Sequence, residues 1–467
     1  MTFCLSVTLA QPMDSMVIKQ VDSLIQVSQK LTGLKQYEQA LEVNVEAERL
    51  AMTAFGKESA VYGLCCFNHG RVEYYKTDYP EAEKWYLESK AILEKTGRKK
   101  NLDYANSLNN LAVLYRVMGQ FEKAEPLYLE YKDIVENALG KEHPDYAWTL
   151  NNMANLYWYM GQYEKAEQLY LESKDIMKKV LGKEHPDYAR SLNNLANLYM
   201  DMGQFEKAEL LYLESKDIWE KSLGKEHHYI AMNLNNLAML YRNMGQYEKA
   251  EPLYLESKGI LEIVLGNEHP DYASNLNNLA DLYRDMGQYE KAEPLYLESR
   301  DIWEKVLGKE HPEYGISLNS LAILYDFMGQ YEKAELLYLE SKDIWEKSLG
   351  KEHPDYASSL NNLATIYDIR GQYEKAELLY LESKDIMKKA LGKEHPDYAW
   401  SLNGLANLYR ALGQYEKAES LYLESKNIWE KSLGKEHPDY AWSLNGLANL
   451  YYNMGQFEKA ESLYIEL

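Results

Sequence analysis

The phrase Gly-Gln-(Tyr/Phe)-Glu-Lys-Ala-Glu begins at Gly119 and returns at Gly161, Gly203, Gly245, Gly287, Gly329, Gly371, Gly413 and Gly455, each time 42 residues later with no insertion. Looser copies in the same register, Tyr37-Glu38-Gln39-Ala40 and Tyr79-Pro80-Glu81-Ala82, bring the total to eleven. A fixed period of this length leaves one kind of architecture open. Each unit is too small to bury its own apolar face, so the units must stack on one another as a solenoid.

Each period reads as two helices. Leu192, Leu195, Ala196 and Tyr199 fall at i, i+3, i+4 and i+7, one helical face, which predicts a helix over 187–202. Gly203-Gln204 breaks that pattern, as glycine does after a helix. A second helix over 205–223 carries Phe205, Ala208, Tyr212, Ser215 and Trp219 on its inner face and stops at Gly224. The next start reads His-Pro-Asp in the regular units. Proline suits the first helical position, and an acidic residue in the first turn complements the helix dipole.

Leu192, Leu195, Ala196, Tyr199, Gly203, Phe205, Ala208 and Tyr212 sit at the signature positions of the tetratricopeptide repeat, which the chain therefore resembles over nearly its whole length. The 42-residue unit and the Leu-Gly-Lys-Glu-His-Pro-Asp linker look like those of kinesin light chains, and like the repeats preceding bacterial CHAT-domain (caspase-like) proteases. The resemblance implies an all-α, right-handed superhelical solenoid of about eleven helix-turn-helix units. It implies little about function, since such repeats serve many partners. The expected organisation is a tail or export-signal remnant at 1–12, two divergent repeats at 13–102, and nine near-identical repeats at 103–467.

Composition narrows the partners. Net charge is −22, spread over the units, and phosphate binding needs a basic stripe, so nucleic acid and anionic membrane are excluded as expected partners. The only basic run, Arg98-Lys99-Lys100, replaces a linker. No stretch approaches the ~20 apolar residues that span a bilayer. Cys4, Cys65 and Cys66 have neither a disulfide framework nor zinc spacing. The 42 tyrosines, about four per unit, read as packing between helices.

The apolar run ending at Ala10 resembles the end of an export signal without its basic start, so localisation stays open between cytoplasm and export. His69 replaces a core leucine. The linker histidines, among them His143, His185, His269, His311, His353, His395 and His437, come one per unit at roughly 10 Å spacing, too far apart for one metal ion. No nucleophile elbow, phosphate loop or Cys–His pair is present. The expectation is a chain without catalytic residues, metal or cofactor.

On the first helix, a stripe beside the core carries the positions of Arg190, Asn193, Asn197 and Met200, which the resemblance places on the concave groove. One position is asparagine in all nine regular units: Asn109, Asn151, Asn193, Asn235, Asn277, Asn319, Asn361, Asn403 and Asn445. Such a ladder can hydrogen-bond an extended peptide, or it can bridge neighbouring helices. The other positions vary between otherwise near-identical units, as where a ligand touches. Trp148 with Trp158, and Trp400 with Trp442, are candidate anchors. Arg242, Arg284 and Arg410 are candidates for attracting acidic side chains. Five rungs at ~0.5–1.5 kcal/mol each give at most ~7 kcal/mol, short of micromolar binding, so selectivity must come from the variable positions.

The expected function is a scaffold binding a protein or peptide segment. The alternatives are the regulatory part of a larger enzyme such as a CHAT-type protease, and a self-assembling repeat protein. The last copy stops partway through its second helix, so a further C-terminal effector domain is expected.

Overall fold

The linker fixes where the first helix of a regular repeat begins. In the computed structural model, which describes residues 12–467, α9 (Pro186–Asp201) starts after His185, and the His185 ring is the cap. The backbone N–H of Asp187 donates to His185 Nδ1 at 3.1 Å, and Pro186 occupies the first helical position, where no N–H is needed. The same histidine cap opens the first helix of each regular repeat from His143 to His437. The recurring histidine is thus a helix start rather than a ligand.

Glycine fixes where the helices end. Gly203 adopts φ 68°, the Gly203 N–H donates to Met200 O at 3.0 Å and the Gln204 N–H to Tyr199 O at 2.8 Å. This closes α9 and reverses the chain into α10 (Phe205–Leu223). α10 has the expected bounds, and α9 begins and ends one residue before its expected limits.

Twenty-two helices, from α1 (Pro12–Gly33) to α22 (Phe457–Glu466), form tandem helix-turn-helix pairs, a solenoid arrangement with no strand among the described residues. Ala196 and Ala208 are fully buried where paired helices meet, with Leu192, Leu195 and Tyr212 filling the space between them. Many tyrosines pack inside, Tyr128, Tyr170 and Tyr212 among them, while Tyr75, Tyr159 and Tyr452 are exposed, and several hydroxyls are used as well. Tyr199 OH donates to Glu167 Oε1 at 2.7 Å, Tyr283 OH to Glu251 at 2.7 Å, and Tyr409 OH to Glu377 at 2.8 Å, each tying a first helix to the second helix of the repeat before.

By packing, the chain divides after Gly140 into two compact units. In the first, α1 runs from Pro12 to Gly33, and Val17 and Val21 pack its apolar face onto Ala47, Ala51 and Tyr62. The run ending at Ala10 lies outside the described residues. His69 is held by Glu48 Oε1 at 2.6 Å and Glu73 Oε1 at 3.6 Å, and stacks on Trp85 at 4.0 Å.

In the second unit, repeats six apart touch. His395, at the start of α19 (Pro396–Ala411), places Nε2 3.3 Å from Tyr159 O at the end of α7 (Pro144–Tyr159). His437, at the start of α21 (Pro438–Asn453), places Nε2 3.2 Å from Asp201 O. Because Nδ1 of each ring accepts the capping bond, the proton sits on Nε2, which donates to the carbonyl. Among the described residues no helix is long and apolar enough to cross a membrane.

Candidate peptide-binding face

The asparagine column is a bridge between repeats. Asn194 Nδ2 donates to Asn151 Oδ1 at 2.9 Å, Asn278 to Asn235 at 3.2 Å, and Asn362 to Asn319 at 3.0 Å. In each case the donor is the second residue of the Asn-Asn pair one repeat later. In these repeats the first helix is thereby stitched to the first helix of the next, and Asn151, Asn193, Asn361 and Asn403 are buried. Asn235 Oδ1 accepts a second bond, from Asn275 Nδ2 at 3.2 Å.

The pattern lapses where the donor is missing. Ser320 replaces the second asparagine after Asn319, and Gly404 replaces it after Asn403. One repeat earlier, Asn277 Oδ1 and Asn361 Oδ1 are buried without a partner. An unpaired buried amide oxygen carries an unreturned desolvation cost, which marks a site of interest.

The candidate arginines are already engaged by the chain. Arg242 pairs with Asp285 at 2.7 Å and Asp281 at 3.3 Å, Arg284 with the same two carboxylates at 2.9 and 2.8 Å, and Arg410 donates to Tyr422 OH at 3.3 Å. Coulombic attraction from Asp281 and Asp285 outweighs burial and raises the pKa of both Arg242 and Arg284.

The tryptophans behave differently at the two ends of the second unit. Trp148 lies under the guanidinium of Arg190 at 3.6 Å, and Trp158 Nε1 donates to Asp201 at 3.0 Å. Trp400 and Trp442 come together, with ring centroids 6.2 Å apart and 27° between planes. Each is about two-fifths exposed, 40% and 41%.

Beside that pair the variable positions open into a cavity of ≈ 330 Å³. It spans α15 (Pro312–Phe327), α17 (Pro354–Ile369), α19 and α21, with Asp326, Asn361, Asp368, Trp400, Gly404 and Trp442 in its wall. Burial pushes the carboxyls of Asp326 and Asp368 above their usual range, an effect that the nearby charge of Arg410 partly offsets at Asp368. Asp326, Asp368 and Gly404 were not among the candidate residues. The signal for them is in the sequence: aspartate takes the Met200 position in two successive repeats, and the Asn-Asn pair becomes Asn-Gly at Asn403-Gly404 and Asn445-Gly446.

The described residues assemble no catalytic constellation, and none of their His, Cys, Asp and Glu clusters could hold a metal ion. Cys65 and Cys66 are buried, and burial pushes the Cys65 thiol up to about 12 and Cys66 higher still, which removes both as nucleophiles.

The stacked pairs, the glycine turns and the small-residue contacts define a helical repeat protein. The sequence profile of the tetratricopeptide repeat matches in overlapping stretches from 103–179 to 397–466, and the chain belongs to that family. Its repeats are of the kinesin-light-chain kind. The chain is 32% identical to a kinesin light chain-type protein of Podosopora anserina with nearly identical repeats, over 44% of this chain and 98% of that one, with a TM-score of 0.37. It is 24% identical to BtubC (BKLC) of P. vanneervenii, over 48% and 87%, with a TM-score of 0.39. A Rap protein complexed with competence and sporulation factor matches at 14% identity over 78% and 96%, with a TM-score of 0.49. Among curated proteins none matches.

Proposed function

We propose that the chain is a non-catalytic scaffold that holds a protein or peptide segment along the first-helix stripe of its second unit. One observation carries the reading: positions that vary between near-identical repeats converge at Trp400 and Trp442 on an open cavity. Exposed paired tryptophans have more contact area to give than any other side chains, and such residues dominate binding energy at interfaces. The asparagine column rests beside them. The oxygens of Asn151, Asn235 and Asn319 bind the next repeat, which leaves their amide N–H groups as what they can offer a bound backbone.

Peptides selected from a random library on the intact chain test this. Their affinity should fall at least about tenfold, ~1.4 kcal/mol, on Trp400→Ala with Trp442→Ala. It should be unchanged by Leu210→Ser on the outer face, where Leu210 is exposed. Selected peptides that bind the tryptophan double variant as well as the parent chain would refute the reading.

A further inference from the structure

The cavity beside Trp400 has a chemical bias that a generic peptide groove lacks: the only charged side chains in its wall are acidic. Asp326 and Asp368 come from successive repeats and both line it. Asn362 Nδ2, on the same wall, is spent on Asn319. Arg410, whose charge reaches Asp368, directs its own N–H to Tyr422. Arg284, whose charge reaches Tyr338 in the wall, is held by Asp281 and Asp285. No lysine or arginine is part of the wall.

Asn361 supplies an independent sign. It is 3% exposed, it lines the cavity, and its Oδ1 has no hydrogen-bond partner. In the repeat before, the equivalent oxygen of Asn319 receives the amide of Asn362. Here the donor position is Gly404. A Cβ at Gly404 would stand 3.0 Å from Asn361 Oδ1 and 2.8 Å from Tyr380 Cε1. Glycine there removes the donor and lets Tyr380 and Asn361 close up against the backbone of α19. The repeat array has broken its own stitching at the place where two carboxylates and two indoles converge.

We propose that this cavity receives an arginine side chain of the bound segment, with the guanidinium between the Asp326 and Asp368 carboxylates, against the indoles of Trp400 and Trp442. The proposal rests on the scaffold reading above and names what that scaffold selects. A guanidinium carries five N–H donors and no acceptor, in a plane that stacks on aromatic faces and pairs with carboxylates two bonds at a time. An ammonium has three donors and no plane. The four carboxylate oxygens here outnumber the three donors of an ammonium, and the stacked indoles favour a flat cation.

The test uses the intact chain labelled with 5-fluorotryptophan and N-acetyl-arginine amide as the probe. The fluorine signals of Trp400 and Trp442, assigned by Trp400→Phe and Trp442→Phe, should shift saturably, while those of Trp219 and Trp303 stay fixed. N-acetyl-lysine amide should bind more weakly, and N-acetyl-glutamate amide should leave the two signals in place. Asp326→Asn with Asp368→Asn should weaken the arginine probe about tenfold or more, equivalent to ~1.4 kcal/mol. Gly404→Asn, whose Cβ would meet Tyr380 Cε1 at 2.8 Å and displace that wall, should also weaken the arginine probe without touching a charge. Unshifted Trp400 and Trp442 signals, a glutamate probe that moves them equally, or a lysine probe that binds as tightly would each overturn the proposal. Library peptides that need the tryptophans but lack arginine would overturn it too, with the scaffold reading intact. Peptides indifferent to the tryptophans would remove the scaffold reading itself.

Discussion

Asn235 and Asn277 occupy the same position in successive repeats, on α11 (His228–Asn243) and α13 (Pro270–Asp285), yet their replacement by alanine should have different effects. Asn235 Oδ1 accepts from Asn278 and from Asn275, both at 3.2 Å, and Asn275 is 1% exposed. Asn235→Ala removes two bonds of ~0.5–1.5 kcal/mol each and strands a buried donor, so the loss should be ~2–4 kcal/mol. Asn277 Oδ1 has no partner, because Ser320 stands where a donor would be. Asn277→Ala therefore forfeits no bond at that oxygen and should cost ~0–1 kcal/mol. Repeat arrays do not unfold in one step, so local hydrogen exchange is the suitable assay. Backbone amides of α11 and α13 should exchange ~30-fold or more faster in Asn235→Ala, at ~1.4 kcal/mol per factor of ten, and only slightly faster in Asn277→Ala. Equal acceleration in the two variants would refute the bridging account, since only the downstream donor distinguishes them.

Two further predictions concern other parts of the chain. Burial alone would depress the pKa of His69, but the hydrogen bonds its ring donates to the Glu48 and Glu73 carboxylates, with their charge, outweigh it and the folded pKa is raised. The stability it adds is complete below about pH 6.5, the unfolded value, and is lost as pH rises through the folded value, so the first unit should melt lower at pH 8 than at pH 6, and His69→Gln should flatten that difference in a thermal melt. Gly203→Ala and Gly245→Ala both force a left-handed backbone, at φ 68° and 69°, for ~1–2 kcal/mol. Only at Gly203 would the new Cβ also meet His437 Cδ2, at 2.9 Å, so Gly203→Ala should lower the melting temperature further; equal losses would show that the contact six repeats on carries no stability.

The helices were legible because their signals are local. Phe205 and Gly224 bound α10 within one turn of residues that say so, and the alanines of the pair interface follow from a single helical face. What the helical wheel of one repeat misses is the neighbouring repeat. Arg242 reads as a free cation on its own helix, while its partners Asp281 and Asp285 lie about one period downstream. Asn361 reads like every other ladder residue, and its oxygen lacks the donor that Asn362 gives Asn319 because residue 404 is glycine.

The two histidine contacts across six repeats change what sort of polymer the second unit is. A stack in which each repeat touches only its neighbours frays from its ends, and its folding resembles a zipper. Residues 159 and 395, and residues 201 and 437, are each 236 positions apart, so every such contact closes a loop that the zipper would leave open. Pairings that distant raise contact order, slow the final stage of folding, and couple melting at one end to that at the other. The spacing is a property of the period rather than of one pair. Removal of a complete 42-residue unit would bring another His-Pro start over another Gly-Gln turn, and the clasp would re-form one tooth along.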